Sequence, residues 1–219
     1  MRWSLAIAFI LSPLLVQGNG LSCQQCISSN DTACTGSSQA CPTTADNCIS
    51  TLTQTIITGG SPTTLFARTC GTSSDCNKTA SLSNPKISVK ISSTCCSTKD
   101  CTPEQPKLPS SKTTKTNVTC LSCLDVSSSS CYSSETITCS GDETKCIRYA
   151  VTMTAGSATS KVAVRGCATP SFCALKSTSE SAGTSSIVVE LACTDGSIRL
   201  QQSVFLLALS GLLLLRLSF

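Results

Sequence analysis

The chain has 219 residues, eighteen of them cysteine, with one Trp, two Tyr, five Phe and no His. So few aromatics exclude a large apolar core, and the lack of histidine removes Ser–His and Cys–His nucleophile pairs. The formal charge of +4 includes Arg2, Arg199 and Arg216 in the two end segments; without them 13 basic residues face 12 acidic ones, a balance of +1 that supplies no surface for nucleic acid.

In chain order, residues 1–20 read as a secretory signal. Arg2 precedes the apolar runs Leu5–Ile10 and Leu14–Val16, Pro13 breaks the segment, and the small residues Gly18 and Gly20 follow. Cleavage after Gly20 would start the mature chain at Leu21. A membrane anchor is the alternative, but the run is short and broken.

Residues 21–101 form a first cysteine-rich module. Ser50–Thr58 and Thr63–Thr69 read as strands around the turn Gly59-Gly60-Ser61-Pro62, and Ile87, Val89 and Ile91 alternate with Ser88, Lys90 and Ser92. Residues 102–119 contain Pro103, Pro106 and Pro109 followed by Ser, Thr and Lys, and read as an extended linker. Residues 120–194 form a second module. Ile147, Tyr149, Val151 and Met153 alternate with polar or small residues, Val162 and Val164 do the same, and Ile187, Val189 and Leu191 close the unit. Ala155-Gly156-Ser157 is the matching turn. The period is two throughout, so the expectation is all-β: one small antiparallel sheet per module.

The cysteines superimpose. Cys23, Cys26, Cys34, Cys41, Cys48, Cys70, Cys76 and Cys95, moved on by 97 or 98 positions, land on Cys120, Cys123, Cys131, Cys139, Cys146, Cys167, Cys173 and Cys193. This is an internal duplication. Units of about 80 residues bury little apolar surface and usually need staples. Each disulfide stabilises by ~2–4 kcal/mol, with poor additivity. The Cys23-x-x-Cys26 and Cys120-x-x-Cys123 pairs also have zinc-like spacing, but a chain without His and with a secretory signal points to oxidation instead. We therefore expect no metal, no cofactor and no catalytic residue. The adjacent carboxylates Asp142 and Glu143 point apart on a strand or turn and read as a solvated loop, kept ionised by Lys145 and Arg148.

Residues 195–219 read as a removable signal for a glycosylphosphatidylinositol (GPI) anchor: the small triplet Asp195-Gly196-Ser197, a short polar spacer, then an apolar end from Val204. The uncharged run Val204–Leu215 would reach only ~18 Å as a helix, against a ~30 Å hydrocarbon core. Asp195 is the first candidate for attachment and Gly196 the second. A short membrane-spanning end and free secretion are the alternatives. Asn30, Asn77 and Asn117 open three N-glycosylation sequons.

The opening Leu21-Ser22-Cys23-Gln24-Gln25-Cys26, the repeat of its spacing at Cys120–Cys123, and the close Cys95-Cys96-Ser97-Thr98-Lys99-Asp100-Cys101-Thr102 resemble the three-finger domains of the urokinase-receptor and lymphocyte-antigen-6 family. Eight or ten cysteines allow many pairings. The resemblance implies one: Cys23–Cys48, Cys26–Cys34, Cys41–Cys70, Cys76–Cys95 and Cys96–Cys101, then Cys120–Cys146, Cys123–Cys131, Cys139–Cys167 and Cys173–Cys193. It implies two tandem snake-toxin-like folds, each with a knot of bridges at one end and three β-loops radiating from it. Thr102 stands where the family has asparagine and Asp100 is one place late for the family's acid, which implies a looser C-terminal end of the first module. The second module lacks the last bridge.

The resemblance further implies a surface protein that binds a protein partner through its fingers, on the outer face of the plasma membrane. The segments around Cys34, Gly141–Ile147 and Arg165–Thr169 are similar to gamma-type phospholipase A2 inhibitors, which makes a secreted phospholipase A2 an alternative partner. A passive coat or adhesion glycoprotein is a further alternative. Interfaces rest on aromatic and Arg anchors, so Phe66, Arg68, Tyr132 and Phe172 are the contact candidates, with Tyr149 and Arg165 also at hand. The candidate contact segments are Thr58–Leu65, Ala155–Lys161, Asn77–Pro85 and Lys176–Ser186.

Overall fold

A computed structural model describes residues 20–175, 177–182 and 185–196. The signal segment, the apolar C-terminal end, Lys176, Gly183 and Thr184 lie outside the described residues.

The strands are β1 (Ser22–Gln24), β2 (Cys26–Ser29), β3 (Ser38–Ala40), β4 (Asn47–Ile57), β5 (Thr63–Gly71), β6 (Thr79–Ser83), β7 (Ile87–Cys96), β8 (Lys115–Leu121), β9 (Cys123–Asp125), β10 (Thr136–Ser140), β11 (Lys145–Ala155) and β12 (Ala158–Ala168). A one-turn helix, α1 (Pro170–Cys173), precedes β13 (Thr178–Ala182) and β14 (Ser185–Thr194). The fold is all-β, with two disulfide-rich domains in tandem. In each domain the first strand pairs antiparallel outside the main sheet, β1 with β3 and β8 with β10. The central hairpins β4–β5 and β11–β12 are long and in register, and the third-finger strands β7 and β14 pair with β4 and β11. The hairpins turn where glycine tolerates a left-handed backbone: Gly59 has φ +85° and Gly156 has φ +60°.

All eighteen cysteines are bonded, as Cys23–Cys48, Cys26–Cys34, Cys41–Cys70, Cys76–Cys95, Cys96–Cys101, Cys120–Cys146, Cys123–Cys131, Cys139–Cys167 and Cys173–Cys193. None joins one domain to the other. Three groups of cysteine sulfurs cluster closely, around Cys23, Cys48 and Cys120, but every member is in a bridge and offers no thiolate.

The domains are not two separate sheets. They share one ten-stranded sheet, ordered β13-β14-β11-β12-β6-β7-β4-β5-β2, with β9 also pairing with β12. The junction is β12 with β6, where Cys167 faces Ser83 and Ala168 faces Leu82. Thr169 continues the ladder: its N–H donates to the Ser81 carbonyl at 2.9 Å, and its hydroxyl accepts from the Ser81 N–H at 3.0 Å. The same hydroxyl accepts from the Phe172 N–H and so caps α1, with Pro170 in the first turn.

The main apolar cluster also lies at this junction. Ala80, Leu82 and Ile87 of the first domain pack with Ile147, Val164, Ala168 and Phe172 of the second. Leu82 has no exposed surface and Phe172 is 2% exposed. Scarce aromatics therefore do not mean that sulfur replaces an apolar interior; the interior forms where the two halves meet.

Residues 115–119, expected to be linker, lie in β8 and pair with β10. The preceding stretch is not a free spacer either. Pro103 and Pro106 are buried, the Thr94 hydroxyl donates to the Glu104 carbonyl, and the Gln105 amide donates to the Thr32 carbonyl at 3.3 Å. Farther on, Lys90 donates to Ser111 at 2.8 Å and Lys112 pairs with Asp142 at 2.8 Å. The segment is laid across both domains.

Candidate protein-binding surface

Of the four contact candidates, the structure removes two. Phe66 is 1% exposed, facing Leu52 across β4 and β5, and Phe172 sits in the junction core with Tyr149 edge-on to its ring at 5.7 Å. A module this poor in aromatics spends them on its interior, so neither ring can anchor a partner. Burial also pushes the Tyr149 phenol above its ordinary value of 10.0. Arg68 is committed within its own domain: it donates to the Gln24 side-chain oxygen at 3.1 Å and to the Cys34 carbonyl at 3.0 Å, and lies over the Phe66 ring. Tyr132 differs. It is 82% exposed on the first finger of the second domain, with the Arg165 guanidinium 5.3 Å from its ring centroid.

The segment Asn77–Pro85 is also corrected. Ala80, Leu82 and Asn84 are buried, because β6 joins the two domains. Asn84 donates to the carbonyls of Cys123 at 2.9 Å and Arg165 at 3.1 Å, while its own oxygen accepts from the amides of Lys86 and Ile87. One side chain thus closes its own turn and binds the neighbouring domain. The tips around Gly59 and Gly156 remain exposed. The described part of Lys176–Ser186 is Ser177, then β13 and the start of β14.

Among the described residues the large exposed apolar side chains lie on fingers. Ile27, Val126 and Tyr132 are on first fingers, Ile57, Leu65 and Met153 on central ones, and Leu175 and Ile187 on the third finger of the second domain. Met153 and Ile187 face each other directly across β11 and β14.

A cleft of about 400 Å³ lies at the junction, between β6, the linker around Lys112, the loop Ser140–Glu143 and the start of α1. Its charged groups are engaged. Glu143 accepts from Ser81 at 2.7 Å and Ser83 at 2.5 Å, Asp142 pairs with Lys112, and Lys90 binds Ser111. The two adjacent carboxylates do point apart, but Glu143 ties the domains together and is not a solvated loop residue. Lys145 is not its neutralising partner: it pairs with Asp195. Arg148 lies directly opposite Arg165.

At the end of the first domain, Asp100 holds its loop to the first finger. Its amide donates to the Ser22 carbonyl at 2.8 Å, and its carboxylate accepts from the hydroxyls of Ser22 and Ser38. Those hydroxyls, Ser38 first and Ser22 second, hold the carboxyl below its ordinary value. The expected looseness after Thr102 is therefore absent from this loop. Asp100 supplies the tie from one position away, adopting φ +57° to do so.

Asn30 and Asn77 lie in exposed turns with φ +62° and +52°, and Asn117 is exposed on β8. Asp195 is exposed immediately after β14, its carboxyl held below the ordinary value by hydrogen bonding to and attraction by Lys145. Gly196 follows with φ +72°. Among the described residues no helix is long and apolar enough to cross a membrane.

A family model described as the u-PAR/Ly-6 domain matches the chain twice, at residues 19–104 and 116–199. The phospholipase A2 inhibitor NAI of Notechis ater is 26% identical over 175 residues, covering 78% of this chain and 86% of the inhibitor. The crystal structure of mouse TEX101 is 19% identical, with 79% of this chain and 97% of that one covered and a TM-score of 0.35.

Proposed function

This chain belongs to the u-PAR/Ly-6 domain family, and from that premise we propose that it is a GPI-anchored cell-surface glycoprotein that binds a protein partner through its fingers. Proteins of this family are extracellular or displayed at the cell surface. The observation that carries the reading is the exposure of apolar side chains along the fingers: Tyr132 on a first finger, and Met153 and Ile187 facing each other across β11 and β14. The knots hold the backbone in place and leave the loops to carry recognition. Proposed attachment at Asp195 or Gly196 would put the lipid just past Cys193, at the knot of the second domain, with the fingers projecting from that end.

The proposed boundaries are a signal at 1–20, domains at 21–101 and 120–194 with β8 entering the second from Lys115, and an anchor signal at 195–219. We read the protein as non-enzymatic. The charged groups in the junction cleft already have partners: Glu143 binds Ser81 and Ser83 across the domains, and Asp142 pairs with Lys112.

Treating expressing cells with phosphatidylinositol-specific phospholipase C tests the anchor: release of the protein supports it, and retention overturns it. Proximity labelling on the same cells tests for a recurrent protein partner. A second reading, inhibition of a secreted phospholipase A2, is favoured by the similarity to the Notechis ater inhibitor. Stoichiometric inhibition of at least one enzyme in a panel would support it, and an inert ectodomain would remove it.

A further inference from the structure

The duplication allows each position in one domain to be compared with its counterpart in the other. Arg68 and Arg165 are 97 positions apart, and Ser50 and Arg148 are 98 apart, the same offsets as the cysteines around them. Both pairs sit in equivalent register: Ser50 faces Arg68 across β4 and β5, and Arg148 faces Arg165 across β11 and β12. The chemistry differs. Arg68 donates to Gln24 and to the Cys34 carbonyl. The counterpart of Gln24 is Leu121, which has no acceptor on its side chain, and among the described residues the Arg165 side chain makes no hydrogen bond and no ion pair. Its Nε is buried without a partner, as is that of Arg68, so the contrast lies in the terminal nitrogens. The buried, neutral Ser50 is replaced by the exposed cation Arg148, directly opposite a second cation. Like charges facing each other across two strands are destabilising, so the second domain carries a cost that the first does not.

These two arginines line a groove of about 300 Å³ on the outer face of the second domain. Its floor is small, with Ala150 and Ala163 both buried, and Tyr132 stacks against Arg165 beside it. We propose that the groove receives a carboxylate side chain from the partner protein, held by the forks of Arg148 and Arg165 with Tyr132 packing alongside. A guanidinium pair matches a planar carboxylate, and an arginine lacking internal acceptors leaves its donors for one that arrives. Glu190 also lines the groove and pairs with neither arginine. With two cations and one anion the groove suits a single carboxylate better than a sulfated polysaccharide, which would meet Glu190 and find no run of cations. The proposal rests on the protein-binding reading and names the chemistry the partner must present.

The test uses the disulfide-intact protein and two fluorescent peptides, four Gly-Glu repeats and four Gly-Gln repeats, at low ionic strength. The Gly-Glu peptide is expected to bind and to weaken with added salt. Arg148→Ser, which restores the first domain's residue at an exposed site, and Arg165→Gln are each expected to weaken binding about tenfold, on the scale of one charge-assisted hydrogen bond. Lys99→Gln, on the first domain, is expected to leave binding unchanged. Equal binding of the two peptides, indifference to both arginine variants, or preferential occupation by a heparin oligosaccharide would overturn the site. A cell-surface partner labelled equally by wild type and the double variant would also overturn it while leaving the protein-binding reading intact.

Discussion

Gly166 of the second domain and Ser83 of the first approach so closely that a Cβ on Gly166 would fall 2.2 Å from the Ser83 carbonyl oxygen. It would also fall 3.0 Å from the Asn84 Cβ. The obstacle is backbone, which cannot swing aside as a side chain could. Gly166→Ala is therefore expected to force β6 from β12 and to destabilise by about 1–3 kcal/mol, the usual range for overpacking. Thermal unfolding would show a lower Tm, and small-angle scattering a longer particle. An unchanged profile would mean that the domains do not meet at this glycine.

Leu82→Ala probes the shared core. Leu82 is fully buried among residues of both domains. Its truncation is expected to cost about 2–5 kcal/mol and to lower the stability of both domains together. Ile27→Ala, at a site 75% exposed, is expected to stay within about 0.5 kcal/mol. Denaturant unfolding followed by probes in each domain separates the outcomes.

Asn84→Asp divides that residue's two roles. An aspartate oxygen can still accept from the amides of Lys86 and Ile87, so the turn keeps its closure. The carboxylate cannot donate to the carbonyls of Cys123 and Arg165, and it places negative charge against both. The expected cost is about 1–3 kcal/mol or more, with hydrogen exchange rising at the domain junction and not within the first domain's third finger.

Asp100 gives the first domain a local acid sensitivity. Its carboxyl lies below its ordinary value in the folded chain because the hydroxyls of Ser38 and Ser22 bind the ionised form. A depressed folded value means the tie is fully present above the unfolded carboxylate value, about 4. It is lost as pH falls through the lower folded value. Exchange of the Asp100 amide, bonded to the Ser22 carbonyl, is expected to accelerate below about pH 4 relative to neighbouring loops. In Asp100→Asn that excess pH dependence should vanish.

The sheet was legible where alternation was strong. Ile147, Tyr149, Val151 and Met153 marked β11, and the glycine turns marked both central hairpins. The domain junction was not. Its pairing joins the edges of two modules, and β6 shows only Ala80 and Leu82 alternating in a serine-rich stretch. Nothing in that pattern says which strand will cover it. Gly166 and Ala168 stand out in the sequence only within a stretch similar to phospholipase A2 inhibitors, although their small size is what lets Ser83 and Leu82 approach. The Thr169-Pro170 pair did carry a helix-start signal, but one turn of helix leaves no periodicity to detect. Phe66 and Phe172 have the residue type of interface anchors, yet in a chain with so few aromatics the interior takes them. Disulfide connectivity came from family resemblance, since cysteine spacing alone leaves many pairings open. The difference between Arg68 and Arg165 was within reach of the sequence. Aligning the repeats sets Gln24 against Leu121 and Ser50 against Arg148, but only the geometry shows that Gln24 is an acceptor for Arg68.

Bridges confined to each half and an apolar junction between the halves tie the two domains into one unit. Native-state hydrogen exchange at Thr169, whose N–H donates to the Ser81 carbonyl across the junction, tests it most directly. Protection of that amide comparable to the central strands β4 and β11 is expected. Exchange at loop rates, with both central hairpins still protected, would contradict it.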